Sequence, residues 1–156
     1  MNKLLLILAF SFTFLNASDI GVGSALNALN DYKYETPHGR DMRVPRMQKL
    51  IVVAFEKSTG DLVNKYLKTK DPYYLLKNDA TFIADISKMP TAITKMIAIP
   101  QMKKYEHLVY LNYNEEFSKS FPVKKGTLTL LHVDNYKISN ISFVTTQKEL
   151  IAAIEK

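Results

Sequence analysis

The feature that most constrains this chain is a pair of continuous apolar runs, residues 50–55 (Leu-Ile-Val-Val-Ala-Phe) and residues 80–86 (Ala-Thr-Phe-Ile-Ala-Asp-Ile). Both are short, rich in β-branched and aromatic side chains, and bounded by polar residues. A strand with one solvated face alternates apolar and polar residues, whereas a run that does not alternate reads as a strand covered on both faces. Such strands need an outer layer on each side, and helical spacing follows each run. Leu62, Val63, Tyr66 and Leu67 recur at helical intervals after the first until Asp71-Pro72 stops the pattern. Ile93, Met96 and Ile97 form a stripe after the second, with Pro100 placed to kink or end that helix. Ser58 or Thr59 is positioned to cap the first helix with Asp61 in its first turn, and Ser87 and Pro90 offer a cap and a first-turn proline for the second.

The remaining elements extend this order. Residues 107–113 read as a third strand, residues 115–121 as a short helix ended by Pro122, and residues 127–133 as a fourth strand. A turn at Asp134-Asn135-Tyr136 leads into residues 137–144, where Ile138, Ile141 and Phe143 mark a half-buried edge strand. Residues 146–156 close the chain as an amphipathic helix through Leu150, Ile151 and Ile154, with Thr145 or Thr146 as N-cap and Glu149 in reach of a capping box. Ahead of the first run, residues 18–30 read as a strap or short helix, with Ile20, Val22, Leu26 and Leu29 available to pack. Residues 32–36 and 41–44 then flank a Pro37-His38-Gly39-Arg40 turn as a hairpin closed by Pro45. Strands joined by helices run parallel through right-handed crossovers, while strands joined by a tight turn are antiparallel. The predicted class is therefore α/β, a mixed sheet flanked by helices with an N-terminal β-hairpin.

The N-terminus carries sorting information. Lys3 gives a positive start, and residues 4–15 are 12 uncharged, largely apolar positions leading to small Ala17 and Ser18. Twelve is too few for a membrane span, which takes about 20, and suits a signal peptide cleaved after Ala17. The expected organisation is signal peptide 1–17, strap 18–31 and a single domain 32–156, in a periplasmic or secreted protein with no stable membrane span after cleavage. Cleavage removes only Lys3, so 21 basic residues become 20 against 15 acidic ones, a formal charge of +5. That excess reads as solubility and weak attraction to anionic surfaces; a basic motif with base-stacking aromatics is missing, so no nucleic-acid partner is expected. The chain contains no cysteine. Disulfides, a thiol nucleophile, thiolate metal sites and a lipid-modified N-terminal cysteine are all excluded, and the domain rests on packing alone.

The stretch from His107 through Leu-Val-Tyr-Leu-Asn-Tyr-Asn-Glu-Glu-Phe-Ser-Lys-Ser-Phe-Pro-Val-Lys-Lys to Gly126, followed by Thr127-Leu-Thr-Leu-Leu-His-Val-Asp-Asn-Tyr-Lys-Ile138, resembles the secreted thiol-reductase and peroxiredoxin-like branch of the thioredoxin-like superfamily. The resemblance covers residues 32–156 in element order and implies a thioredoxin-like three-layer sandwich. It also implies where the redox centre belongs. The superfamily's Cys-x-x-Cys falls on Thr59-Gly60-Asp61-Leu62, at a helix start that would depress a thiol pKa. Its cis-proline position falls on Leu128 in Gly126-Thr127-Leu128-Thr129, where a cis bond would cost about 2.5–4 kcal/mol, so a trans peptide is expected. Without thiols, dithiol exchange and thiol peroxidase chemistry are excluded.

Strand ends and helix starts on the carboxyl side of an α/β sheet are where ligands bind. Lys57, Ser58, Thr59, Asp61, Asp85, Ser87, Thr127 and Leu128 are accordingly the candidate ligand or partner surface, with Glu56 beside them. The competing reading makes Ser58, Thr59 and Ser87 caps and the acids solvated. No catalytic residue is assigned, since a Ser or Thr nucleophile needs an oriented base and no histidine is placed to serve. Arg40, Arg43, Arg46 and Lys49, with Tyr32 and Tyr34 nearby, read as a solvated basic face or a patch for an acidic partner. His38, His107 and His132 show no ligand spacing, so no metal is assigned. Met42, Met47, Met89, Met96 and Met102 offer thioethers suited to copper(I), but Met96, on the apolar stripe, reads as core. The five glycines form no phosphate-cradling motif, so no cofactor is expected. Tyr73, Tyr74, Leu75 and Leu76 read as an apolar flap. The function implied is a non-redox binding or accessory module of the cell envelope, recognising an envelope protein or small ligand. Alternatives are an envelope enzyme using a non-thiol site at the same edge, and a metal or copper carrier.

Overall fold

The structure, a computed structural model, describes residues 20–156. The expected signal peptide and its cleavage site lie outside the described residues. Seven strands form one sheet: β1 (Tyr34–Glu35), β2 (Asp41–Met42), β3 (Leu50–Ala54), β4 (Ala80–Asp85), β5 (Tyr110–Asn112), β6 (Leu128–Asp134) and β7 (Lys137–Val144), in the order β2-β1-β5-β4-β3-β6-β7. β3 and β4 pair in parallel, as do β4 and β5, while β6 runs antiparallel to both β3 and β7. The mixed α/β sheet read from the sequence is thus the observed one, and it is open.

Central position explains the uninterrupted apolar runs. β3 lies between β4 and β6, and every residue of it is buried. Its side chains alternate between two cores. Leu50, Val52 and Ala54 pack toward α1 (Lys57–Leu67), α2 (Tyr74–Lys77) and α5 (Gln147–Ile154), through residues such as Val63, Tyr66, Leu75, Leu150 and Ile154. Ile51, Val53 and Phe55 face a second core of Ile20, Leu26, Leu29, Tyr34, Phe117 and Phe121. That second layer is built from the N-terminal strap and two 3-10 turns, Leu26–Asp31 and Phe117–Lys119. Aromatic rings weld it: Phe117 and Phe121 lie 4.4 Å apart by ring centroids, and Tyr32 meets Phe117 edge-on at 5.0 Å.

The strap is tied to the far edge of the sheet by backbone bonds, Gly23 N–H to Ile138 O (2.8 Å), Ile138 N–H to Ser24 O (2.9 Å) and Leu26 N–H to Tyr136 O (2.8 Å). The hairpin is shorter than predicted, two residues per strand, and β1 also pairs with β5 through Glu35 and Leu111. β5 itself keeps only three residues of the predicted seven. On the helical side, the Tyr66 and Tyr74 hydroxyls lie 2.7 Å apart, and Tyr74 donates to Glu155 at 2.8 Å, which joins α1, α2 and the end of α5. The segment expected as a flap is α2, with Tyr74 and Leu75 buried and Tyr73 and Leu76 each 66 % exposed.

Three local predictions are corrected. The N-cap of α1 is Glu56, so Ser58 and Thr59 lie inside the helix and Asp61 is past its first turn, in an ion pair with Lys57 at 2.6 Å. The helix after β4 begins at Thr91 with Pro90 as its N-cap, and Ser87 lies outside it. That helix is a rod of α3 (Thr91–Ile93), a π turn (Thr94–Ala98) and α4 (Ile99–Met102), continuing through Pro100. A proline ring meets the carbonyl four residues back in a regular helix, and the wider π turn, in which Ile99 N–H reaches Thr94 O, relieves that conflict. The rod buries Thr94 and Ala98 and leaves Ile93, Met96 and Ile97 at 45 %, 78 % and 49 % exposure, so Met96 is not core.

Candidate functional site

The candidate edge is assembled where β3 runs into α1. Phe55 and Glu56 turn out of the strand, and the Glu56 carboxylate accepts the N–H of Gly126 at 2.8 Å. This bond brings the loop before β6 against the start of α1, and it leaves a negative group at the positive end of the helix dipole. Gly126 has φ +73°, a backbone state that favours glycine. Thr59 is buried and donates its hydroxyl to the Glu56 carbonyl at 2.9 Å. The Thr127 hydroxyl donates to Lys124 O at 2.8 Å. Segments 56–62 and 126–128, which the fold resemblance places around a redox centre, do meet, but around a carboxylate and two satisfied threonines.

The sequence-predicted surface residues divide by exposure. Lys57, Ser58 and Asp61 are exposed, and the attraction of Asp61 holds the Lys57 ammonium above its ordinary range. Thr59 and Thr127 are each 6 % exposed, and Leu128 is 1 % exposed within the core that holds Val144 and Leu150. The Leu128 side chain therefore offers nothing to a partner, a correction to the expected surface. No peptide bond among the described residues is cis.

Asp85 and Ser87 end β4 next to this edge. Asp85 Oδ1 accepts the Ser87 N–H at 3.0 Å, but Asp85 Oδ2 and Ser87 Oγ are buried without a partner among the described residues. Burial pushes the Asp85 carboxyl above the ordinary carboxylate range, against the opposing pull of Ser87 and the Lys88 charge. A small cavity of about 70 Å³ joins Asp85 to Glu56, Lys57, Gly60, Asp61 and Tyr105. Glu56 and Tyr105 are the contributors that sequence reasoning missed or left unassigned; only the position of Glu56 at the end of the apolar run marked it.

Three of the basic residues make separate contacts. Lys49 pairs with Asp79 at 2.8 Å, Arg46 lies 5.9 Å from the Tyr136 ring centre, and Arg40 acts on the Tyr110 phenol at the other end of the sheet order. Among the described residues no group of three or more His, Asp or Glu side chains gathers as a metal site would require. His38 is exposed, His107 bonds Asn64, and His132 bonds Ser142. No described helix is long and apolar enough to cross a membrane.

An open mixed sheet with β3-α1-β4 in parallel, an antiparallel β6-β7 hairpin and a closing helix defines the thioredoxin-like class of α/β fold. Solved structures agree. The chain is similar to a candidate thioredoxin from Neisseria meningitidis (13 % identity, TM-score 0.53, covering 88 % of this chain and 93 % of that one). It is likewise similar to a candidate protein disulfide isomerase from Bacteroides thetaiotaomicron (14 %, TM-score 0.52, 88 % and 87 %) and to StoA from Bacillus subtilis (15 %, TM-score 0.50, 78 % and 94 %). No protein-family model matches the chain, and no curated protein matches it significantly. The chain has the thioredoxin-like fold and none of the cysteines that thiol redox chemistry needs.

Proposed function

We propose that the chain is a secreted, periplasmic protein that works as a non-redox binding or accessory module in the bacterial cell envelope, using the carboxyl edge of its sheet around α1. The observation that carries this is the Glu56 to Gly126 bond at 2.8 Å. It holds together the two segments that flank a redox centre in the resemblance, with Thr59 and Leu62 standing where thiols would be. Exposed Lys57, Ser58 and Asp61 then present a polar surface on a rigid helix start, where a partner's backbone or side chains can bond. The apolar run at residues 4–15 supports export.

The test is affinity capture from an envelope fraction with the mature chain and a Ser58→Arg variant. Ser58 is exposed, so the variant folds, and loss of a partner that the unaltered chain retains supports the edge. Equal capture by both proteins removes it. N-terminal sequencing of the exported protein checks the leader, with Ser18 as the expected first residue. A second reading, an envelope enzyme, is favoured by one observation: the Asp85 carboxyl is buried with an unpartnered oxygen at a cavity. On that reading Asp85, whose burial makes it hold a proton more readily than an ordinary carboxyl, serves as the acid or base, and Asp85→Asn abolishes turnover of any substrate found while leaving partner capture intact.

A further inference from the structure

A larger cavity, about 600 Å³, lies at the opposite end of the parallel strands. It exists because β5 joins β4 only from Ile83 onward, paired with Tyr110, so Ala80, Thr81 and Phe82 have β3 alone as strand neighbour. The segment before β5, the hairpin turn and α2 frame the gap instead, and the volume falls within the range of small-ligand sites, about 300–1,000 Å³. Its walls are apolar, including Pro37, Tyr73, Leu76, Phe82, Leu108 and Val109. Tyr73 and Leu76, each 66 % exposed, leave an apolar rim in water that no described side chain covers.

Polar groups are few and placed. Thr81, buried, donates to Gln48 Oε1 at 2.7 Å, and the Gln48 amide nitrogen spends one of its two hydrogens on Met47 O at 3.3 Å. Arg40 lines the same space, is exposed, and has no carboxylate within ion-pair distance among the described residues. Its charge instead reaches the Tyr110 phenol, a cavity residue. Exposed His38 and Glu106, buried His107 and the phenols of Tyr73, Tyr105 and Tyr110 are the other ionisable groups at the lining.

We propose that this cavity binds an apolar monocarboxylate, its hydrocarbon on the walls and its carboxylate paired with Arg40. A guanidinium without a partner beside an unfilled apolar volume matches a ligand with one anionic end and an apolar body. The cavity opens at the other end of the strands from the α1 edge, although Met102, Tyr105 and Val109 line both it and the small cavity there, and its proposed ligand does not depend on the function proposed for that edge.

The test uses laurate below its micellar concentration, with dodecanol and dodecylamine as chain-matched probes, followed by calorimetry and thermal shift. Laurate raises the melting temperature and binds more tightly than either analogue. Arg40→Gln weakens laurate about tenfold, the loss of one charge-assisted contact, and leaves dodecanol within twofold. Glu106→Gln tightens laurate. Leu76→Asp, at the exposed rim, weakens laurate and dodecanol together. A Met96→Lys, Ile97→Lys variant keeps laurate binding, because the exposed helix stripe is elsewhere. The proposal is overturned if laurate gives no shift, if dodecylamine binds as tightly, if Arg40→Gln changes nothing, or if the stripe variant loses binding.

Discussion

His107 should make this protein sensitive to acid, and the size of the effect can be worked from its surroundings. The ring is buried, stacks on Tyr105 at 4.9 Å with an interplanar angle of 16°, and places Nε2 2.9 Å from Asn64 Oδ1. An amide oxygen only accepts, so Nε2 carries the proton and Nδ1 is bare in the neutral ring. Burial first, and the Lys68 charge second, push the imidazole from 6.5 down to about 4. The folded state therefore binds this proton less readily than the unfolded chain. Stability from the group is intact above about pH 6.5 and is lost as pH falls through the window from 6.5 to 4. At about 1.4 kcal/mol per unit the ceiling is about 3–4 kcal/mol, and screening on the side of the ring that borders the cavity reduces it to roughly 2. The comparison is His107→Gln, which keeps a donor for Asn64 and cannot titrate. Urea unfolding at pH 7, 6, 5 and 4 should show the wild-type losing ~2 kcal/mol more than the variant. Other groups, including Asp85 with its opposite shift, cancel in that difference. The His107 ring signal, identified by its absence from His107→Gln, titrating near pH 6.5 in the folded protein, or parallel pH curves for the two proteins, would refute the reasoning.

Other expectations follow from single contacts. Thr146→Ala removes the capping box in which Thr146 Oγ1 accepts the Glu149 N–H at 3.2 Å and Glu149 accepts the Thr146 N–H at 3.0 Å; a loss of about 1 kcal/mol in chemical denaturation is expected. Tyr136→Gly relieves a tyrosine held at φ +63° in the two-residue turn between β6 and β7, a gain of about 1 kcal/mol, offset by roughly half as the Arg46 contact goes, so a small rise in melting temperature is expected. Phe82→Ala, at a side chain 1 % exposed in the helical core, should cost about 3–5 kcal/mol by urea titration.

What could be read in the sequence was whatever one strand or helix decides by itself. Leu50–Ala54 and Ala80–Asp85 are buried on both faces because they are central, and their composition says so. The Thr146 cap was legible because both halves of its box lie within four residues. Three features depend on distant partners and were not legible. β5 begins only at Tyr110, and three residues ahead of it His107 is engaged by Asn64 on α1 instead of continuing the strand. β7 changes phase at a bulge, where His132 faces Asn140 but Val133 faces Ile138, so Ile138 and Ile141 share a core and Phe143 is 38 % exposed. Glu56 bonds Gly126 across 70 residues of sequence, which no local pattern announces.

The helix after β4 shows how periodicity alone can select the wrong face. Ile93, Met96 and Ile97 are spaced as a buried stripe, but so are Thr94, Ala98 and Met102 on the other side, and the second set packs. Thr94 and Ala98 are small and let the rod approach the sheet, while Ile99 and Met102 fill the remaining space against the helical core. The π turn at Thr94–Ala98 adds a further displacement that a fixed 3.6-residue period does not follow. The two readings separate cleanly by experiment. Were Met96 in a core, Met96→Lys would cost several kcal/mol, as buried long side chains do on truncation or charging. At 78 % exposure the same change should alter stability by less than about 0.5 kcal/mol and lower the tendency to self-associate, since it breaks an exposed run with Ile93 and Ile97. Urea unfolding and light scattering at raised concentration measure both. A loss above about 2 kcal/mol would mean that the rod turns its other face to the sheet, and Thr94→Leu, now predicted to clash in the core, would then be tolerated.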